Sequence, residues 1–197
     1  MLAELLRKSI HLSGLILPVI YFFLDKSTML IFVGVLMGIA IAVELVKWVS
    51  PSFGGFFFQV FAPMLRSHER KGAMTGATYY IISAFLCILL FSKTLAVVCI
   101  FFMVLGDLAA ALVGKKWGKT KLIGTKSLEG SAACFVVCAA IALIKLHPVI
   151  GIIGAFVATV VEMLPFPIDD NLTVPLVSGA VMHFLMQSAF IQSLAVW

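Results

Sequence analysis

The sequence predicts an all-α fold, a polytopic membrane bundle of about seven transmembrane helices with a cytoplasmic N-terminus. Composition is the first reason, because 62% of the 197 residues are hydrophobic and only 12% are charged, well beyond the apolar share of soluble domains. The second is the grouping of apolar residues into runs near the ~20 residues that a helix needs to cross a bilayer. The third is the one-sided placement of basic residues. We expect residues 1–197 to form a single integral membrane domain.

The predicted spans follow one another along most of the chain. They cover residues 9–25, 28–48, 77–92, 94–114, 130–146, 148–165 and 174–193. The third run is the shortest and has the weakest signal of the seven. Only the segment 49–76 is long enough to form a separate structural feature between two spans.

Charge placement predicts the orientation. Seven spans put the N-terminus and the loops 49–76, 115–129 and 166–173 on one side, which carries 11 of the 14 lysine and arginine residues. Because basic loops stay in the cytoplasm, we expect any active site to face the cytoplasm. The membrane would be the cell membrane, or the ER or plastid membrane in a eukaryote. The net charge of +5 fits contact with anionic lipid, and we expect no nucleic-acid partner.

The segment 49–76 has the composition of an interfacial element. It begins with Pro51, turns at Gly54 and Gly55, and continues through four phenylalanines to a charged cluster. Such a segment can lie with its aromatic rings in lipid and its basic groups near headgroups. Two interpretations remain open: the segment anchors the fold, or it gates lipid entry with His68 and Arg70 in contact with a substrate.

Ionisable residues also lie inside the predicted spans. Glu44, Asp107 and Glu162 fall in the cytoplasmic ends of their spans, and His11 lies near the start of the first. Charged groups at such depth are costly and usually face a cavity or a partner. We therefore predict a pocket that extends through half of the membrane and opens to the cytosol.

The stretch from Gly106 to Gly130 carries the clearest functional signal. Asp107 lies in an apolar helix, and a loop with five lysines and three glycines follows before Glu129. Glycines let backbone N–H groups approach an anion, lysines neutralise it, and carboxylates hold a divalent cation against it. This pattern predicts a site for a nucleotide or a phosphorylated lipid.

Three ordered motifs resemble those of the dolichol kinase, phytol kinase and CTP-dependent diacylglycerol kinase family. The central motif resembles the family's nucleotide-binding signature, and the other two flank it. The motifs are Asp107, Ala110, Gly114 and Gly118 followed by Lys126, Ser127, Glu129 and Gly130; Arg7, Lys8, His11 and Gly14; and Glu162 with the run Asp170, Asn171, Leu172, Thr173 and Pro175. One departure is Thr125 before Lys126, where the resemblance leads us to expect a second lysine.

The resemblance implies transfer of the terminal phosphoryl group of CTP to the hydroxyl of a membrane lipid: a polyprenol or dolichol, phytol or diacylglycerol. It assigns Mg²⁺ to Asp107, Glu129 and Asp170, with Asn171 nearby, and the lipid hydroxyl to His11. Catalytic roles fall on Asp107, His11, Lys126, Glu129 and Asp170. Nucleotide contacts fall on Ala110, Gly114, Gly118, Lys119, Lys126, Ser127, Gly130 and Asn171.

Several residues also have a purely structural interpretation. Asp107 can form a buried ion pair, and Glu44 can pair with Lys47 three residues later on one helix. Glu129 can be an acid in the first turn of a helix, where the helix dipole favours negative charge.

Two other functions remain open. A phosphatidate cytidylyltransferase has a similar central stretch, but the late His-Gly-Gly signature that we expect of it is absent from this sequence. A transporter is the other alternative, since polar groups inside several spans also suit a substrate pathway. The sequence identifies neither the lipid alcohol nor the oligomeric state and does not decide between CTP and ATP as the phosphoryl donor, and a homodimer stays open.

Overall fold

Eight helices form the part of the chain that the computed structural model describes, residues 9–66 and 69–188. Arg7, Lys8 and His68, which the sequence analysis named, lie outside these residues. The helices are α1 (Ser9–Phe23), α2 (Lys26–Val49), α3 (Pro51–Phe61), α4 (Gly76–Leu90), α5 (Lys93–Trp117), α6 (Leu128–Leu143), α7 (Pro148–Met163) and α8 (Asp170–Gln187). Within the described ranges there is no β-strand, so the all-α prediction is confirmed.

Each of the seven predicted spans overlaps one helix, and α3 is the additional helix in the segment 49–76. Two helices, α2 and α5, are long and apolar enough to cross a membrane by length and composition. The other helices are shorter or less apolar, and the count of seven spans stays a prediction.

Polar caps and prolines set the helix starts. The side chains of Asp25, Thr75, Ser92 and Ser127 each accept a hydrogen bond from a backbone N–H in the first turn of α2, α4, α5 and α6, which satisfies groups that lack a partner inside the helix. Pro51 and Pro148 occupy the first position of α3 and α7, where a missing N–H is harmless. The sequence thus encodes its boundaries locally.

The hydrophobic core surrounds the first half of α5. Nearly all side chains from Leu95 to Val104 are buried, and α4, α6 and α8 pack around this helix. A π-helical turn, Phe102–Gly106, interrupts α5 immediately before Asp107. Such turns often mark functional positions in helices.

Apolar side chains also cover the outer surface of the bundle. Phe23, Ile31, Val49, Ile144 and Phe184 are all largely exposed. Soluble monomers rarely present so much contiguous apolar surface. This surface fits the bilayer that the composition predicts.

A buried ion pair attaches the segment after α3 to α2. Glu44 and Lys47 pair on one face of α2, as the spacing predicted. Glu44 Oε1 also accepts hydrogen bonds from the Thr75 N–H at 2.8 Å and the Thr78 hydroxyl at 3.0 Å. Lys47 donates to the Ala73 carbonyl at 3.0 Å. The loop that leads into α4 is therefore held against α2.

Candidate active site

The loop between α5 and α6 forms one side of a polar cavity. An isolated β-bridge between Lys121 and Ser127 closes the loop, and Gly124 takes a φ of +55° at its turn, a conformation that suits glycine. Lys121, Thr125 and Lys126 of this loop line the cavity. This turn thus places Lys121 and Lys126 in the wall of the same cavity.

The cavity has a volume of about 520 Å³ and contains charges of both signs. Its basic residues are Arg66, Lys115, Lys121 and Lys126. Its acidic residues are Asp107, Glu162 and Asp170, which come from three different helices. A cavity of this kind can hold a polyanion together with a cation.

Small residues let α5 and α6 approach closely beside the cavity. A Cβ atom added to Gly130 would lie 2.8 Å from the Ala110 carbonyl oxygen, and one added to Gly114 would lie 3.1 Å from Ser127 Oγ. Ala110, Gly114, Ser127 and Gly130 all line the cavity. Their small size keeps the backbone at the cavity surface, where it can approach an anion.

Lys126 forms an ion pair with Glu162 of α7. Burial alone would lower the pKa of the Lys126 ammonium, but the charges of Glu162, Asp170 and Asp107 outweigh it and raise this pKa. Lys126 is therefore protonated at neutral pH. The Glu162 side chain is 3% exposed, and its Oε2 atom is buried without a hydrogen-bond partner in the described structure.

Arg66 joins the loop after α3 to the start of α8. Its Nη1 atom lies 2.7 Å from Asp169 Oδ2, and its Nη2 atom lies 3.5 Å from Asp170 Oδ1. Burial would lower the pKa of the guanidinium, whereas these two aspartates raise it. The buried Glu69 accepts hydrogen bonds from the N–H groups of Arg66 and Gly76, so it holds the backbone that carries the guanidinium.

His11 and Asp107 meet where α1 approaches α5. His11 Nε2 lies 3.4 Å from Asp107 Oδ2, longer than a normal N–H···O hydrogen bond. The imidazole nitrogen is buried without a hydrogen-bond partner in the described structure. The Asp107 carboxylate can therefore still bind a cation or accept a hydrogen bond from a substrate. The side chain that faces it is the imidazole of His11.

Five predicted site residues do not line the cavity, namely His11, Gly118, Lys119, Glu129 and Asn171. Glu129 lies in the first turn of α6, and its carboxylate accepts hydrogen bonds from the Thr120 N–H at 3.1 and 3.3 Å. Lys119 is exposed on the loop, and Gly118 packs against Ser127. The predicted trio Asp107, Glu129 and Asp170 is thus not assembled. Across the described residues, no three His, Cys, Asp or Glu side chains are grouped to hold a metal ion.

Asn171 lies at the base of the site. It is 6% exposed, and its Nδ2 atom donates to the Gly76 carbonyl at 3.4 Å. It borders a small space shared with Asp107, Glu162 and Asp170, whereas the large cavity is lined by other residues. Its contact with α4 makes it a link between α8 and the loop that carries Arg66.

Comparison with known proteins relates the chain to lipid kinases. An uncharacterized protein of Rickettsia prowazekii is 29% identical over 181 residues, which cover 86% of this chain and 88% of that protein. CTP-dependent diacylglycerol kinase 1 of Schizosaccharomyces pombe is 28% identical over 166 residues, covering 73% and 74%. The Glycine max protein named "Probable phytol kinase 1, chloroplastic" is 30% identical over 146 residues, covering 61% and 48%.

These relatives, at modest identity over much of the chain, support a relationship to the lipid kinase family. No protein-family model matches it, and no solved structure matches it significantly. The chain spans about half the length of the phytol kinase and most of the Schizosaccharomyces pombe enzyme.

Sequence reasoning missed the position of Arg66. Arg66 lies in an irregular loop outside every motif, so its sequence position indicates only that it is one of several basic groups on the predicted cytoplasmic side. Its role as a bridge to Asp169 and Asp170 depends on contacts more than 100 residues apart in sequence. The sequence signal for a special role of Arg66 was Glu69, an acidic residue that lies close by within a basic cluster.

Proposed function

We propose that the protein is an integral membrane kinase that transfers the terminal phosphoryl group of CTP to the hydroxyl of a membrane lipid. The observation that carries this proposal is the polar cavity, in which lysines and an arginine face carboxylates beside a wall of small residues. CTP as the donor is supported by the names of two relatives, which are CTP-dependent diacylglycerol kinases. The lipid is a diacylglycerol, phytol or a polyprenol.

In this proposal the nucleotide phosphates occupy the cavity between the lysine-rich loop and α5. Lys121 and Lys126 neutralise the phosphates from the loop, and Arg66 does so from the opposite wall. The backbone around Gly114 and Gly130 approaches the phosphates because no side chain separates them. Phosphoryl transfer depends mainly on such positioning and charge neutralisation.

Two carboxylates suit a magnesium ion in the same cavity. Mg²⁺ is commonly held by one or two carboxylates together with phosphate oxygens and water. Asp107 and Asp170 line the cavity, and the long contact of Asp107 with His11 leaves its oxygens available. When bound, the ion neutralises charge on the transferring phosphoryl group. Glu129 would not ligate it directly, because its carboxylate binds the loop backbone.

The chemical step joins the lipid oxygen to the γ-phosphorus. In the proposed reaction the hydroxyl oxygen attacks this phosphorus, the bond to the β–γ bridging oxygen breaks, and CDP leaves. The hydroxyl proton passes to His11 Nε2, whose positive charge then faces Asp107 at 3.4 Å. Such proton transfer by a positioned side chain typically contributes 10²–10⁴-fold to a rate.

The membrane arrangement belongs to the same proposal. We place the cavity on the cytoplasmic side of one integral membrane domain, since the loop lysines and Arg66 are part of the basic face of the chain. The segment 49–76, with α3 at its start, would lie in the interface. Its exposed Phe56 and Phe61 would face lipid.

The decisive experiment follows the label from CTP into lipid. Purified protein in detergent with Mg²⁺ is incubated with dioleoylglycerol, phytol or a polyprenol and with CTP labelled at either the α- or the γ-phosphate. We expect γ-label in the lipid and CDP as the by-product. Transfer of the α-label to phosphatidate with release of pyrophosphate would instead identify a cytidylyltransferase. Absence of transfer to every lipid, with uptake of a solute into proteoliposomes, would identify a transporter.

A further inference from the structure

A second space, distinct from the polar cavity, lies between α1, α2 and α4. It has a volume of about 390 Å³ and a predominantly apolar wall. Leu17 and Ile20 contribute from α1, Phe32 and Leu36 from α2, and Tyr80 and Ile81 from α4. We call this space the apolar groove. Its size lies within the range of small-molecule sites, which are mostly apolar with a few polar groups at defined positions.

The polar end of the apolar groove coincides with the candidate active site. His11 lines the groove and contacts Asp107, which lines the cavity. Arg66 lines both spaces. A molecule that fills the groove would therefore present its polar end to the residues that surround the nucleotide phosphates.

The other end of the groove is continuous with the outer apolar surface. Ile16 and Phe32 line the groove and are 60% and 43% exposed. A chain could thus enter from the lipid phase without passing through the polar cavity. This arrangement separates a water-side route for a nucleotide from a lipid-side route for a hydrocarbon.

We propose that the apolar groove binds the hydrocarbon chain of the lipid alcohol and directs its hydroxyl to His11 and Arg66. The assignment rests on the proposed kinase function. It goes further in locating the acceptor site, with α1, α2 and α4 as the elements that select the chain. Continuity with the reacting residues distinguishes this groove from the rest of the exposed apolar surface.

The contact between Gly14 and Tyr80 forms the floor of the groove. The Tyr80 hydroxyl donates to the Gly14 carbonyl at 2.6 Å, and a Cβ atom on Gly14 would lie 3.1 Å from the Tyr80 ring. The ring is therefore held in place by a residue without a side chain. The contact thus holds α1 against α4 beside the groove.

The first test narrows the groove with a tryptophan. Leu36→Trp should raise KM for dioleoylglycerol or phytol, whichever the wild type phosphorylates, by about tenfold, while KM for CTP stays unchanged. Val35→Trp is the matched control, because Val35 is adjacent on α2, is 59% exposed and does not line the groove. An unchanged lipid KM in a folded Leu36→Trp protein would overturn the proposal.

The second test is independent of catalysis. Hexadecanol with a diazirine at its chain end is photolysed with the detergent-solubilised full chain, and labelled peptides are identified by mass spectrometry. We expect labels on α1, α2 and α4, competition by unlabelled hexadecanol, and loss of labelling in Leu36→Trp but not in Val35→Trp. Labelling that is insensitive to Leu36→Trp would overturn the groove assignment.

The two tests separate failure of the groove from failure of the kinase. Phosphoryl transfer without labelling of the groove would leave the kinase standing and place its acceptor elsewhere. Labelling of the groove without transfer to any lipid would support lipid binding and overturn the kinase. Chemical cross-links from α2 of one copy to α1 of another, with no lipid labelling, would assign the groove to a second copy of the chain.

Discussion

Arg66 contacts two aspartates beside the cavity, and a glutamate holds its backbone. Its guanidinium reaches Asp169 and Asp170 on α8, and its backbone N–H is held by Glu69. A planar guanidinium can bridge two carboxylates or a carboxylate and a phosphate, whereas an ammonium acts as a single point charge. The geometry of this one side chain therefore couples the loop after α3 to the start of α8.

Replacing Arg66 by lysine tests that coupling. Arg66→Lys keeps the charge but loses one of the two contacts, so we expect kcat/KM for CTP to fall at least about tenfold, which corresponds to ~1.4 kcal/mol. Arg70→Lys is the control, because Arg70 is exposed, its Nε atom donates to the Leu65 carbonyl, and it does not line the cavity. Equal activity of the two variants would remove Arg66 from the phosphate site.

The carboxylates Asp107 and Glu129 make opposite predictions although both belong to the central motif. Asp107→Asn should lower kcat by about 10³-fold or more, since loss of a metal ligand typically removes several kcal/mol of transition-state stabilisation. Glu129→Gln should reduce kcat only slightly, because Glu129 lies outside the cavity and bonds to the Thr120 N–H. The measurement is steady-state phosphoryl transfer with size-exclusion profiles as a folding check. A Glu129 variant as inactive as the Asp107 variant would show that the loop brings Glu129 to the nucleotide.

At the scale of elements, the close packing of α5 against α6 shapes the nucleotide site. Gly130 cannot accept a Cβ atom without displacing the Ala110 backbone, which lies 2.8 Å away. Moving α5 and α6 apart would widen the part of the cavity that we assign to the phosphates. The small residues of the motif thus have a packing role, in addition to the binding role that we propose for them.

The variant Gly130→Ala tests this packing. We expect weaker CTP binding and a lower thermal midpoint in detergent, because backbone atoms cannot move aside as a flexible side chain can. Gly38→Ala on α2 is the matched control, since no atom lies within 4 Å of its added Cβ atom, and alanine favours a helix by about 1 kcal/mol. A Gly130→Ala protein with wild-type midpoint and CTP affinity would contradict the packing argument.

At the scale of the whole molecule, the basic asymmetry predicts the orientation. Lys119 lies on the loop beside the cavity, and Lys145 follows α6 at its other end; both are exposed. A cysteine in place of Lys119 should react with a membrane-impermeant maleimide only from the cytoplasm, and one in place of Lys145 only from outside. Labelling of both from the same side would exclude a single crossing by α6.

The helical architecture could be read from the sequence because long apolar runs and polar caps are local signals. The site was partly predictable for the same reason: Asp107, Lys126 and Asp170 lie in motifs, and the structure brings all three to one cavity. The positions of Arg66 and Glu129 were predicted less well. Arg66 reaches the site through tertiary contacts with Asp169 and Asp170, which are distant in sequence. The orientation of the Glu129 carboxylate depends on how the loop folds, because the carboxylate accepts a hydrogen bond from the Thr120 N–H.

The π-helical turn in α5 has a consequence for the angular phase of that helix. A π turn takes about one residue more than an α turn to complete a revolution, so later residues lie about 100° behind their positions in an uninterrupted α-helix of the same sequence. Before the turn almost every side chain is buried, whereas between Asp107 and Trp117 only Ala110 is. If the same sequence formed an unbroken α-helix, Asp107 and Gly114 would rotate together away from the cavity, whereas deleting one residue between Phe102 and Gly106 should remove the π turn and keep both residues on the same face. The π-helical turn therefore allows one helix to serve two purposes. The first half of α5 lies at the centre of the apolar core, and the second half forms a wall of the charged cavity.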